Sequence, residues 1–391
     1  MNHPHIPLLI IGGGIGGLAT ALGAAMNGRS VTVLEQSPEF GEVGAGIQLA
    51  PNATAVLHRL GVMDEINEVA VFPKRLVLKS ALKGNELSAL DLGESFRAHF
   101  GHPYIVLHRS DLQNALLNAC RRNERITLLT NKSVLSVDSI GEYAEVRCSD
   151  GTAYQAKGVV GADGLWSKSR KLFSDDEPIC SHYVAYRGTL PMSEMEAYSD
   201  LDDVIMWIGP HQHLVQYPVR RKELYNQVVV FKSNRYKPDS DDWGTPEELD
   251  EHFGPTCEPV RHAVSFISKQ RRWPMYDREV LPNWTKGRVT LLGDAAHPML
   301  QYMAQGGCQA LEDAAALANA LAAHGDDVEQ AFQAYQAERL PRANKVQKNA
   351  RLWGQFLHTN DPMALLMRQA IFDKRDPKDL YAIDWLYGQR Y

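Results

Sequence analysis

In the stretch WIGPHQHLVQYPV, His211, His213 and Tyr217 stand at spacings that a β-strand turns to one face, with Gln212, Leu214 and Gln216 on the other. Two imidazoles that titrate near neutral pH and a hydroxyl able to donate or relay suit removal of a proton from a weak acid such as a phenol. The same pattern also fits plain cross-strand packing. A second polar residue interrupts HPMLQYMAQGG. There Gln301 lies beside Tyr302, between an apolar run ending at Gly293-Asp294 and a helix start read at Gln305-Gly306-Gly307.

Near the N-terminus, Gly12, Gly14 and Gly17 of IIGGGIGG fit GxGxxG, which allows a tight turn, close backbone approach to a pyrophosphate and close helix–strand packing. The motif follows a strand and opens a helix. Glu35 ends the next strand 18 residues after Gly17, where a carboxylate can accept from ribose hydroxyls. Together these features predict a bound dinucleotide. Asp294, at a strand end beside a helix start, can bond a ribose or ribityl hydroxyl, and the amides of Gly306 and Gly307 can face negative charge. In VVGADGLWSKSR a buried strand delivers Asp163-Gly164 into a loop whose Ser167 can cap a following helix; alone, this is a common turn.

These residues need elements to position them. PLLIIGGGIGGLATALGAAMNGRSVTVLEQ reads as a βαβ unit, and residues 125–162 as an antiparallel meander returning to a buried strand. Val-, Tyr- and Trp-rich strands between 178 and 275 mark a second, sheet-containing domain inserted into the first. The cofactor-binding domain is accordingly expected at 1–177 and 276–345, the sheet domain at 178–275, and a helical segment at 346–391 as a possible dimer contact. A net charge of -6 without charged blocks gives no reason to expect nucleic acid or an anionic membrane. Five cysteines without CxxC spacing argue against a disulfide framework or structural zinc, no metal site is expected, and a reducing cytoplasm fits. No transmembrane segment is read; the glycines of Leu8 to Met26 have the dinucleotide explanation instead.

The ordered set GxGxxG, HRSDL (108–112), GADG (161–164) and GDAAH…QGG…LEDA resembles the single-component FAD-dependent aromatic hydroxylases, the flavoprotein monooxygenases of the para-hydroxybenzoate hydroxylase type. The resemblance runs along nearly the whole chain. It implies an α/β fold with a Rossmann-like FAD-binding domain of the GR2 type, an inserted substrate sheet and a helical C-terminal region. It implies that Gly12, Gly14, Gly17 and Glu35 hold the ADP part of FAD, that Arg109 lies near the pyrophosphate and ribityl chain, and that Asp294 binds the ribityl chain. Asp163 is tied by the resemblance to FAD and to the nicotinamide donor. Gly46 and Ile47, in GEVGAGIQLAPNA, are placed beside the isoalloxazine.

The resemblance further implies that NADH, with NADPH as the alternative, reduces FAD and that one atom of O2 passes to an electron-rich aromatic ring. IGPHQHLVQYP, WPMYDRE, GDAAHPMLQY and the C-terminal DWLYG resemble the branch that hydroxylates 3-hydroxybenzoate para to its hydroxyl. On that basis His213 is expected to be the base or hydrogen-bond partner of the substrate hydroxyl, with Tyr217 and Gln301 positioning the ring. Related acids, salicylate and 6-hydroxynicotinate, are the alternatives; a flavin-binding protein without hydroxylase activity is a third. The substrate carboxylate has no assigned partner. Arg187 reads equally well as a solvated or structural arginine, and His297 and Gln305 need no chemical role. The family tendency suggests a homodimer.

Overall fold

Leu-Leu-Ile-Ile at 8–11 is a run of bulky apolar residues without alternation, as in strands covered on both faces. In the computed structural model, which describes residues 6–41, 45–195, 201–238, 240, 242–389 and 391, it is the buried strand Leu8–Ile11. Helix Ile15–Met26 and the parallel strand Val31–Leu34 complete the βαβ unit. The helix packs closely because it is built from small residues. A Cβ on Gly16 would lie 2.7 Å from the Leu292 side chain, and one on Gly23 2.9 Å from Ala318 Cβ.

The six-stranded sheet runs Thr285–Lys286, Val289–Leu291, Val159–Gly161, Leu8–Ile11, Val31–Leu34, Ile126–Leu129, all parallel except for the first short strand. The dinucleotide-binding sheet is thus drawn from two separated stretches of the chain, 8–161 and 285–291. Val134–Ile140, Tyr143–Cys148 and Ala153–Ala156 form the antiparallel meander.

The second sheet has seven strands in the order Trp273–Asp277, Ile179–Pro191, Leu224–Lys232, Gln212–Val219, Val204–Gly209, Arg75–Ser80, Glu86–Asp91. Its last two strands come from chain that the sequence pattern assigns to the cofactor-binding part. Arg75–Ser80 joins by pairing parallel to Val204–Gly209, more than a hundred residues away, a contact no local pattern announces. The outer face of this sheet is covered by helices Pro246–Phe253 and Glu258–Ser265, with Trp207, Leu214 and Phe231 in the core between.

Helix Gly306–His324 lies on the first sheet, and helix Val328–His358 follows with Pro341 inside it. At 31 residues the latter is about 46 Å long. It runs through position 345, where a boundary was expected, and links the two sheets. Tyr335 donates to the carbonyl of Leu291 on the first, and His358 ends beside His213 on the second. Helices Pro362–Phe372 and Tyr381–Tyr387 close the chain. No helix among the described residues is long and apolar enough to cross a membrane.

Candidate active site

The glycine turn has the geometry its spacing predicts. Gly12 has φ +108°, and a Cβ there would lie 2.3 Å from the Ala162 carbonyl oxygen. A Cβ on Gly17 would meet the Gly12 oxygen at 2.0 Å, whereas around Gly14, the N-cap of the helix, there is open space. Two of the glycines therefore serve packing, and the third leaves room for a ligand to approach the helix N-terminus. Glu35 reaches over this turn. Its Oε2 accepts from Gly13 N at 2.8 Å and its Oε1 from Ser37 N at 2.9 Å.

Gly46 and Ile47 open the strand Gly46–Leu49, paired with Ile105–His108; Glu42, Val43 and Gly44 of the same loop lie outside the described residues. Gly46 is wedged against the second sheet. A Cβ would come 2.5 Å from Tyr217 Cε2 and 2.7 Å from Asn226 Cγ, and its amide donates to Asn226 Oδ1 at 2.7 Å. On the other side, Ile47 Cδ1 lies 3.0 Å from where a Cβ of Gly307 would be. Arg109 begins helix Arg109–Arg121, its amide donating to the Ala45 carbonyl at 2.9 Å.

Asp294 stands in the turn Gly293–Ala295, with Oδ1 3.9 Å from the Cβ position of Gly306. It is accessible on one side and hemmed in by protein on the others. That desolvation raises its carboxyl, while His297 and Arg109 pull it down. The turn is held by a buried charge network. Asp313 Oδ2 accepts from Gly293 N at 2.9 Å and lies 2.6 Å from His297 Nε2; Arg339 donates to Asp313 Oδ1 at 2.7 Å and to Glu312 Oε2 at 2.6 Å. Burial alone would raise Asp313, but His297 and Arg339 outweigh it and bring the carboxyl down to about 2. Asn52 and Gln309 donate to Gln305 Oε1 at 3.1 and 3.0 Å, so Gln305 and His297 carry structural contacts. His297 Nδ1 and Gln305 Nε2 are nevertheless buried with no partner among the described residues; with His297 Nε2–H given to Asp313, Nδ1 is an acceptor and Gln305 Nε2 a donor, a mixed pair that fits a ligand carrying both kinds of group.

Asp163 is occupied within its own loop. Its oxygens accept from Ser167 Oγ at 2.6 Å, Lys168 N at 2.8 Å, Ser169 N at 3.0 Å and Ser169 Oγ at 3.1 Å, while Ser167 Oγ accepts from Arg170 N at 2.9 Å.

On the second sheet, His213 and Tyr217 share the face turned toward the first domain, separated by Val215. His211 does not join them. It sits in the hairpin turn before the strand, with φ +59°, because Gly209-Pro210 ends the preceding strand. Its place beside His213 is taken by His358, whose Nε2 is 2.7 Å from His213 Nδ1. The ring centroids are 4.9 Å apart and the rings 10° from parallel, which together with that short N–N distance makes this an edge-to-edge, in-plane hydrogen bond and not a face-to-face stack. Burial, and next the neighbouring ring, hold His213 well below the usual imidazole range; burial, His211 and Arg368 bring His358 down to about 3. Both rings are neutral near pH 7. Tyr302 meets both edge-on, at 5.7 and 5.0 Å, and its buried hydroxyl has no partner among the described residues. Gln301, its neighbour in the turn Gln301–Met303, is exposed, so in this arrangement Tyr302 is the residue against His213. Burial raises the Tyr217 hydroxyl, and Arg187 opposes it.

His358, Tyr302 and Asn226 were missed from sequence. His358 stands 145 residues from its partner and has no local signal. Asn226-Gln227 inside the apolar strand YNQVVVF was a signal, since buried amides need partners. An open surface cleft of about 830 Å³, lined by Phe72, Arg75 and Asp202 among others, contains none of these residues.

A family model described as "FAD binding domain" matches residues 5–350. A 3-hydroxybenzoate 6-hydroxylase of Polaromonas naphthalenivorans (strain CJ2) is 37% identical over 388 residues, covering 99% of this chain and 97% of that protein. The chain belongs to the FAD-dependent aromatic hydroxylases. A 3-amino-4-hydroxybenzoate 2-monooxygenase of Streptomyces cremeus is 33% identical over 390 residues, covering 100% of this chain and 96% of its own. Among solved structures, Klebsiella pneumoniae HpxO complexed with FAD and uric acid superposes with a TM-score of 0.84 at 22% identity, covering 94% of this chain and 93% of that one. The fold is that of the para-hydroxybenzoate hydroxylase type, and the chain is a flavoprotein aromatic monooxygenase. An FAD fits the geometry of the site: a glycine turn open at Gly14, a carboxylate on either side at Glu35 and Asp294, and unpartnered nitrogens on the loop between.

Proposed function

We propose that this enzyme hydroxylates 3-hydroxybenzoate para to its hydroxyl, giving gentisate, with NADH as electron donor. The observation that carries the proposal is the neutral, buried His213 with one ring nitrogen tied to His358. When His213 Nδ1–H donates to His358, Nε2 is left as an acceptor for a phenolic O–H. Partial removal of that proton drives electron density to the ring carbons ortho and para to the hydroxyl, and carbon 6 of 3-hydroxybenzoate is para. The substrate named for the relative with 37% identity supports the same ring.

Bound FAD supplies electron transfer and oxygen activation. The chain's own residues bind and orient. Gly12, Gly14, Gly17 and Glu35 take the ADP half; Arg109 and Asp294 take the pyrophosphate and ribityl chain; Gly46, Ile47, Gly306 and Gly307 border the isoalloxazine. Asp163 acts through the loop it builds. Tyr217 positions the ring, and Gln301 contributes from the open side of the turn whose inner side is Tyr302. A homodimer is supported by helix Pro362–Phe372, where Met363, Leu366, Met367 and Ile371 form an exposed apolar stripe.

The test is NADH oxidation by the FAD-loaded protein with 3-hydroxybenzoate, salicylate, 6-hydroxynicotinate and 3-amino-4-hydroxybenzoate, with chromatography of the products. Gentisate formed in proportion to NADH is the expected outcome. Hydrogen peroxide alone with 3-hydroxybenzoate, and a hydroxylated product with one of the other acids, would replace the substrate.

A further inference from the structure

Asn226 joins the two halves of the site. It stands opposite Tyr217 on the neighbouring strand, and its Oδ1 accepts the Gly46 amide at 2.7 Å. A backbone N–H can only donate, so the atom facing it is the carbonyl oxygen, and the orientation of the amide is determined. The NH2 end is therefore turned away from Gly46. It is buried and meets no acceptor among the described residues. A buried donor left without an acceptor is costly, so a ligand atom that accepts from it would recover that cost.

Two donor side chains stand on the same face of the sheet as Asn226. Tyr217 presents its hydroxyl at the same Gly46 position. Arg187 lies on the same face of the next strand, opposite Val228, two residues from Asn226. Its guanidinium lies 4.7 Å from the centre of the Trp273 ring, and its charge acts on Tyr217. The ring that His213 would hold also sets a length. Four strand residues from His213 to Tyr217 span roughly 13 Å of backbone, the scale of an aromatic acid whose two polar groups are each hydrogen-bonded, at about 2.8 Å, to a side chain.

We propose that Asn226 NH2, together with Tyr217 and Arg187, forms the subsite for the carboxylate of the aromatic acid, while Asn226 Oδ1 holds the flavin-side loop at Gly46. One side chain thereby ties ligand recognition to the position of the cofactor loop. The inference rests on the reading that the substrate is an aromatic acid. It does not depend on which one.

Benzoate, which has a carboxylate and no phenol, is the probe, with benzamide as its neutral counterpart; binding is read from the absorbance of bound FAD. The wild-type holoenzyme is expected to bind benzoate at least about tenfold more tightly than benzamide, the margin of one charge-assisted hydrogen bond. Asn226→Asp keeps the acceptor for Gly46 and replaces the donor with a carboxylate. It is expected to retain FAD and to lose benzoate affinity by at least about tenfold, with benzamide much less affected. Asn226→Asp that binds benzoate like wild type overturns the subsite and leaves the aromatic-acid reading standing. Should Asn226→Asp fail to hold FAD, the wild-type comparison decides, since equal affinity for benzoate and benzamide overturns the subsite. Wild type that binds neither probe, yet hydroxylates a phenol without a carboxylate, overturns the aromatic-acid reading and the subsite with it.

Discussion

At the scale of single residues, His213 and His358 act as a pair, and their burial has two measurable consequences. In the proposed reaction His213→Ala removes the acceptor for the phenolic proton, and hydroxylation of the aromatic acid is expected to fall by roughly 10²- to 10⁴-fold while FAD stays bound. Near-normal product formation would remove His213 from the mechanism. The second consequence is a pH dependence of stability. In the unfolded chain an imidazole takes up its proton near pH 6.5; in the folded protein His213 is held well below that, and His358 at about 3. Below pH 6.5 the unfolded chain binds more protons than the folded one, so stability falls with falling pH, by up to about 1.4 kcal/mol per unit for each ring until its folded value is reached. Arg368, and His211 when it is protonated, push His358 in the same direction. Urea unfolding between pH 4 and 7 should show a shallower slope for His358→Gln than for wild type, and parallel slopes would contradict a neutral buried His358.

At the scale of elements, the turn carrying Asp294 depends on the charges beneath it. Arg339 is fully buried between Glu312 and Asp313. Arg339→Met removes the cation shared by both carboxylates, leaving Glu312 to Arg342 and Asp313 to His297; a loss of about 3 kcal/mol is expected, together with weaker FAD retention, and both are read by thermal unfolding with and without added FAD. Much of this level was legible in the sequence. The glycine turn, Glu35 and the first βαβ unit lie within thirty residues, so spacing alone reports their geometry. Ser167 is one residue early as a cap: the N-cap of the turn Ser169–Leu172 is Lys168, and Ser167 Oγ takes the Arg170 amide from the position before it. Strands Arg75–Ser80 and Glu86–Asp91 were not legible, because their sheet membership comes from pairing with residue 204 onward. Alternation put His213 and Tyr217 on one face correctly, yet it carried His211 with them through a turn where the period stops. Glutamine drew the eye at 301, but the turn directs Tyr302 inward, since adjacent residues of a tight turn point in different directions.

At the scale of the whole molecule, the exposed stripe on helix Pro362–Phe372 predicts the assembly. Met367→Glu is expected to convert the proposed dimer into a monomer in analytical ultracentrifugation without loss of FAD, and a wild type that already sediments as a monomer would overturn the dimer. The helix before it has a wider effect. Along Val328–His358, Tyr335 reaches the Leu291 carbonyl, Arg339 the Asp313 carboxylate, Gln347 the Pro298 carbonyl, Gly354 the Tyr302 ring and His358 the His213 ring. It thus works as a camshaft: every lobe touches a different part of the catalytic machinery, and their timing is angular. One alanine inserted between Gln347 and Gly354 would advance His358 by roughly 100° and 1.5 Å while leaving Tyr335, Arg339 and Gln347 in place. Such an enzyme should keep its cofactor and lose its ring chemistry, because the two are indexed to the same shaft at different phases.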